Sequence, residues 1–192
     1  MADIRNKVVL VTGAGRGTGR SVTEYCSRNG AIVAAVDITP INVEPVIAAL
    51  VQEGHQAFAY IHDIAKKVDV QAMVNLVQNR HGKIDILINC ANVNFPSGLL
   101  EIDEWDLHRV FDVNAIGTLL VIQSVGRVMK QQGHGLIINA IKLDGSSSET
   151  SLASRGGIIQ AQPIIQKEFA PFGIEIHTFS SSEPLIEIKK IL

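Results

Sequence analysis

The sequence predicts an α/β fold, a doubly wound parallel sheet of six to seven strands with helices on both faces. Three observations predict it. Short apolar runs, each fit for a buried strand, alternate strictly with helical stretches along the chain. The first of these runs, residues 8–11, breaks at once into Gly13, Gly15, Gly17 and Gly19. Asp37, Asp63 and Asn89 each close an apolar run, so a parallel sheet gathers them at the carboxyl ends of its strands. That edge is where such sheets bind ligands.

Taken in order, the run at 8–11 is short and unbroken, as a strand covered on both faces requires. The glycines permit a tight turn that opens directly into a helix over 20–28, which stops at Asn29-Gly30. Residues 31–37, AIVAAVD, form a second buried strand. A short helix over 43–52, a strand over 55–63 and an amphipathic helix over 68–80 follow. In that helix Val70, Met73, Val74 and Val77 recur at helical spacing, and His81-Gly82 ends it. Strand four is 84–89. Asp103 caps a long helix over 104–131, apolar on nearly every side in its later part and therefore covered on more than one face. Asn114 falls inside it, where an amide sits on the surface or needs a partner. Residues 136–140 form strand five, 142–151 a polar loop, 152–169 a helix carrying Pro163, and 174–179 strand six. A proline inside a helix removes a hydrogen bond and is expected to kink it, at about 3 kcal/mol. Residues 184–192, PLIEIKKIL, fit a short seventh strand or a loose tail.

The glycine turn points to chemistry. It brings bare backbone N–H groups and a helix N-terminus to one point, where a pyrophosphate can rest against the helix dipole. Asp37 lies 18 residues beyond Gly19. That is the separation expected of a carboxylate that hydrogen-bonds ribose hydroxyls. Because it repels a 2′-phosphate, it favours NAD over NADP.

Composition excludes other classes. The 192 residues, 46% hydrophobic and 19% charged, read as one globular domain spanning 1–192. A net charge of −2 without a Lys/Arg cluster argues against nucleic acid. No apolar run reaches membrane-spanning length and the N-terminus has no signal-peptide pattern, so no membrane partner is expected. Cys26 and Cys90 follow no metal-ligand spacing; they read as core thiols of a cytoplasmic protein, and no metal site is expected.

In order along the chain, the residues from Thr12 to Gly19, Asp37, Asp63-Ile64, Asn89-x-Ala91, Asn114 and the stretch Glu168, Ala170, Pro171, Gly173, Ile174 resemble the short-chain dehydrogenase/reductase family, over residues 5 to about 179. The resemblance implies a Rossmann-type fold and a nicotinamide cofactor held by Gly13, Arg16, Gly17, Thr18, Gly19, Asp37, Asp63, Ile64, Asn89 and Ala91. Asp63 and Ile64 would hold the adenine. The family's Asn-Asn-Ala-Gly is Asn89-Cys90-Ala91-Asn92 here, so a side chain replaces a glycine beside the cofactor.

The family's catalytic groups are a serine after strand five, a tyrosine that exchanges a proton with the substrate oxygen, and a lysine four residues on. Counted without gaps, those positions fall on Lys142, Ser151 and Arg155, with Asn114 as the fourth. The chain's two tyrosines, Tyr25 and Tyr60, lie on the first helix and the third strand. A serine hydroxyl is a far weaker acid than a phenol of pKa about 10. The loop before Ser151 reads as about four residues shorter than the family's, and the chain ends before the family's substrate-covering region, so an open pocket is expected. Three readings follow: an NAD(H)-binding protein with ordinary catalysis lost, an active oxidoreductase using Lys142 or Arg155 as electrophile, or a relative that no longer binds nucleotide. The resemblance also implies a homodimer or homotetramer formed through helices 104–131 and 152–170.

Overall fold

A computed structural model describes residues 3–142 and 147–192. Among them are six strands: β1 (Val8–Thr12), β2 (Ile32–Asp37), β3 (Ala57–Ile61), β4 (Ile86–Asn89), β5 (Gly135–Lys142) and β6 (Ile174–Ser181). Every pairing is parallel, in the order β3-β2-β1-β4-β5-β6. The crossover helices are α1 (Gly17–Arg28), α2 (Pro40–Gln52), α3 (Lys67–His81), α4 (Glu104–Phe111), α5 (Thr118–Gln132) and α6 (Glu149–Phe169).

The strands β1, β2 and β4 are apolar at nearly every position because helices cover both sheet faces. One core, with Leu10, Met73, Leu87, Val125 and Ile137, lies under α3, α5 and α6; the other, with Val9, Val22, Val33, Leu50 and Ile88, lies under α1 and α2. The second face of α5 is covered only in part: Gly126 faces the Phe169 ring of α6, where a Cβ would come within 2.7 Å of it, while Leu119, Gln123, Arg127 and Lys130 are exposed.

Three expectations need correction. The C-terminal segment is neither a seventh strand nor a tail but a helix, α7 (Pro184–Ile191). Pro184 suits a first helical turn, and Ile188 and Leu192, four apart, bury themselves in the core shared with α1 and α2. The helix over 104–131 is interrupted by a π turn, Asp112–Gly117, which separates α4 from α5. Helix α6 begins earlier than 152, capped by Ser148, and runs through Pro163 as one continuous element. Pro163 itself is exposed.

At the outer edge of the sheet, helix α6 stands in for a neighbouring strand. The Ile176 N–H donates to Gln166 Oε1 at 2.6 Å, and Gln166 Nε2 donates to the Ile174 carbonyl at 3.2 Å. Gln162 Nε2 donates to the Ile176 carbonyl at 3.2 Å. These amides protect part of an edge that would otherwise invite pairing.

At the end opposite the carboxyl edge, Asp85 is buried, 4% exposed. Burial alone would raise its pKa, but Lys83 at 2.7 Å, the Val8 N–H at 2.8 Å and His134 outweigh it, and the net direction is downward. A depressed carboxylate stabilises the fold fully above its unfolded pKa of about 3.9, and that stability is lost as pH falls through the folded value. Asp85→Asn is therefore expected to lower urea stability at pH 7 by about 1–3 kcal/mol, with the gap to the unaltered chain closing below about pH 4. A gap that persists unchanged at pH 3 would refute this.

Candidate functional site

The site is assembled at the carboxyl ends of β1 to β5. After Thr12 the chain turns at Gly13, whose φ of 65° favours glycine. A Cβ there would stand 2.6 Å from the Ala91 Cα, and one on Gly19 would overlap the Gly13 carbonyl oxygen. Turn, helix and the segment after β4 are thus in backbone contact. Thr12 fixes that segment, its Oγ1 accepting the N–H groups of Cys90 and Ala91 at 3.2 and 3.3 Å. Helix α1 begins at Gly17 with no side-chain cap among the described residues and no acid in its first turn. Its end is electropositive and available to an anion.

Above this point lies a cleft of about 340 Å³. Gly13, Arg16, Gly17 and Thr18 line its middle. Asp37, Asp63 and Ile64 line the side of β2 and β3, and Ala91, Lys142 and Arg155 the side of β4 and β5. Four of the predicted site residues lie outside its lining: Gly19, Asn89, Asn114 and Ser151. Gly19 is buried against the turn. Asn89 belongs to a polar ladder across the sheet, its Nδ2 donating to Asn139 Oδ1 at 3.0 Å, while Asn139 Nδ2 donates to Thr178 Oγ1 at 3.1 Å. Register makes these neighbours, since Asn89 is opposite Asn139 and Asn139 opposite Thr178.

The two acids are held in place. Asp37 Oδ2 accepts the Gly15 N–H at 2.9 Å and its Oδ1 accepts the Thr39 N–H at 3.1 Å. Asp63 accepts the Ala65 N–H at 3.1 Å and a two-pronged bond from Arg109 of α4, each prong 3.2 Å. Arg109 lines the cleft too and was not among the predicted site residues; nothing in the sequence links it to a partner 46 positions away. His62 and Val93 also line it.

At the other side the polar groups are bonded to one another. Asn114, 2% exposed, sits in the π turn, and its amide is fully occupied. Oδ1 accepts the Val93 N–H at 2.8 Å, and Nδ2 donates to the Val93 carbonyl at 2.8 Å and to Ser154 Oγ at 3.1 Å. Arg155, 5% exposed, donates to the Ser151 hydroxyl, to the Ser151 carbonyl at 3.2 Å and to the Lys142 carbonyl at 3.0 Å. Ser151 is fully buried. Asn114→Ala strips three bonds from this block, and a stability loss of about 2–3 kcal/mol in urea denaturation is expected. A loss under about 0.5 kcal/mol, the size of an ordinary surface substitution, would show that the block holds nothing together.

No phenol reaches the cleft. Tyr60 lies within β3, its hydroxyl 3.5 Å from His81 Nε2, and burial pushes its pKa above the usual value. Tyr25, on α1, lies under the Lys189 ammonium. Cys26 and Cys90 are free thiols; burial pushes Cys26 up to about 12 and desolvation raises Cys90, which lines the cleft, as well. Among the described residues, no helix is long and apolar enough to cross a membrane, and no three His, Cys, Asp or Glu side chains gather as metal ligands.

A parallel sheet whose first strand runs through a glycine turn into a helix, with the cleft at its carboxyl edge, defines a Rossmann-type domain. Residues 7–182 match the family model described as short chain dehydrogenase. The chain belongs to the short-chain dehydrogenase/reductase family. It is 33% identical over 179 residues to the short-chain reductase protein NovJ of Streptomyces niveus, the match spanning 92% of this chain and 68% of that one. It is 32% identical over 192 residues to the D-threitol dehydrogenase of Mycolicibacterium smegmatis, spanning 95% and 72%. Among solved structures, NAD+-bound xylitol dehydrogenase superposes with a TM-score of 0.84 at 26% identity, covering 93% of this chain and 71% of that one.

Proposed function

We propose that this chain binds NAD(H) and has lost the ordinary oxidoreductase catalysis of its family. Cofactor binding is supported by the uncapped α1 end between Gly13 and Thr18 and by Asp37, already oriented by two backbone N–H groups. Asp37 accepts ribose hydroxyls and repels a 2′-phosphate, which favours NAD over NADP. Asp63, Ile64 and Ala91 line the remainder of the cofactor's path, while Gly19 and Asn89 shape it from below. NAD(H) supplies hydride exchange when a substrate is present. What the described residues do not place beside it is a phenol.

That last observation carries the reading. Ser151 is the positional equivalent of the family's acid, and it is buried and bonded to Arg155. A positioned acid or base contributes about 10²–10⁴-fold, so its removal costs about 3–5 kcal/mol of barrier lowering. Titration calorimetry with NAD and NADH tests the binding, and a panel of alcohols and carbonyls tests turnover. Binding in the micromolar range with turnover at or below about 10⁻² of a typical 10 s⁻¹ is expected. Heat-silent titrations with both forms would refute the reading.

One observation favours the alternative of a working oxidoreductase: Lys142 lines the cleft, and an ammonium there can polarise a carbonyl oxygen. Arg155 suits that role less, because its donors are engaged on Ser151 and Lys142. Turnover that disappears in a Lys142→Ala, Arg155→Ala double variant would establish the alternative.

The free thiols Cys26 and Cys90 support a reducing, cytoplasmic setting, with neither nucleic acid nor membrane as partner. Self-association as a homodimer or homotetramer through 104–131 and 152–170 is supported by an apolar groove between α5 and α6 that includes Leu119, Ile165 and Phe169. Light scattering at micromolar concentration is expected to give a multiple of the 20.7 kDa chain mass. Leu119→Arg should shift it toward the monomer, and a monomer without substitution would refute the assembly.

A further inference from the structure

The segment that follows β4 is tied down on either side of one residue. Thr12 Oγ1 accepts the N–H groups of Cys90 and Ala91 at 3.2 and 3.3 Å. Asn114 engages both the N–H and the carbonyl of Val93, each at 2.8 Å. Asn94 Oδ1 accepts the Ser148 N–H at 2.9 Å and the Ser148 hydroxyl at 3.0 Å. Strand β1, the π turn and the start of α6 thus hold residues 90–94 from three directions. Asn92 stands in the middle of this clamp. It is exposed, it lines the cleft, and its carboxamide has no hydrogen-bond partner among the described residues.

This is the position at which the family's motif carries glycine. The backbone here does not need one, because the only described non-glycine residue with positive φ is Asn6. A polar side chain carried by a fixed backbone reaches a ligand without first ordering the chain that bears it.

Strand order decides which part of a dinucleotide it meets. The glycine turn and the α1 N-terminus follow β1, which lies between β2 and β4. Adjacent strands are about 4.8 Å apart, so the ends of β2 and β4 are about 10 Å apart, with the diphosphate position between them. Asp37 ends β2 and takes the adenosine ribose in the proposed binding mode. Asn92, three residues past the end of β4, is on the opposite flank and meets what the second phosphate carries. A carboxamide is neutral, so it neither repels the diphosphate nor attracts it as a cation would. It offers two donors and an acceptor, the complement of a vicinal diol whose hydroxyls each donate and accept.

From this placement we infer that the Asn92 carboxamide hydrogen-bonds the hydroxyls of the distal ribose, the sugar beyond the second phosphate. The side chain in place of glycine is then a gained contact and not an obstruction. The inference rests on the proposed NAD(H) binding and adds a specificity-determining residue to it.

The test is titration calorimetry of the whole chain with NAD, ADP-ribose and ADP, repeated on Asn92→Ala and Asn92→Gly. ADP lacks the distal sugar, and ADP-ribose lacks the nicotinamide. Both variants are expected to weaken NAD and ADP-ribose by about 3- to 10-fold and ADP by less than about twofold, with Tm unchanged. NAD bound as tightly or more tightly by the variants would show an idle or obstructing side chain and overturn the inference. A loss confined to NAD would move the contact to the nicotinamide, and an equal loss for ADP would move it to the diphosphate; either overturns the assignment to the ribose. All three of these results leave the nucleotide reading intact. Failure of the unaltered chain to bind any of the ligands would overturn both.

Discussion

Alanine at Gly19 is expected to destabilise the chain by about 3 kcal/mol or more, lowering Tm by about 6–12 °C for a protein of this size. The added Cβ would overlap the Gly13 carbonyl oxygen and approach the Cys90 Cβ within 3.2 Å. The first of these obstacles is backbone, so no rotamer change relieves it. Either α1 lifts off the sheet or the turn at Gly13 opens, and Gly13 is itself pinned against Ala91. Nucleotide binding should be lost with stability, because the same movement scatters the N–H groups at the start of α1. Gly17 provides the control. Its φ of 51° also favours glycine, but a Cβ there meets nothing within 4 Å. Gly17→Ala is therefore expected to cost only the conformational term of about 1–2 kcal/mol. Thermal and urea denaturation of the two variants separate steric from conformational cost. Equal losses would show that the close approach at Gly19 relaxes freely.

What the sequence made legible here was what local spacing encodes. The turn from Gly13 to Gly19 and the acid at Asp37 follow from consecutive strand, turn and helix signals, and the strict alternation of elements leaves little choice of topology. Helix α7 was not legible because PLIEIKKIL suits two periods. Its choice of helix is made by a pocket for Ile188 and Leu192 formed by distant elements. The π turn around Asn114 was hidden for a similar reason, since no residue pattern marks it, and its amide partners on Val93 and Ser154 come from other elements. Arg109 escaped because its partner Asp63 lies across a sheet crossover. The spacing of Ser151 and Arg155, four residues on one helix face, was visible. That the two close on each other, rather than on a ligand, depends on β5 delivering the Lys142 carbonyl beside them.

Removing the Asp37 carboxylate is expected to have the largest effect on binding: a 30- to 150-fold loss of NAD affinity in Asp37→Ala, about 2–3 kcal/mol. Two contributions combine. The ribose hydroxyls lose charged acceptors, each such bond being worth about 1.5–3 kcal/mol before compensation by water. The Gly15 N–H and the Thr39 N–H lose theirs as well, so the glycine turn and the start of α2 lose a shared anchor. Asp37→Asn separates them. One amide oxygen can still accept from Gly15 or Thr39, which keeps the loop largely in place, but the negative charge that repels a 2′-phosphate is gone. Its NAD affinity should fall by less than that of the alanine variant, while the preference for NAD over NADP shrinks toward unity. Calorimetry with both dinucleotides on the three proteins reads these outcomes. A preference for NAD that survives in Asp37→Asn would mean that shape, not charge, excludes the phosphate. Unchanged NAD affinity in Asp37→Ala would remove the ribose from the β2 end of the cleft, and with it the physical basis for assigning the nucleotide to this edge of the sheet.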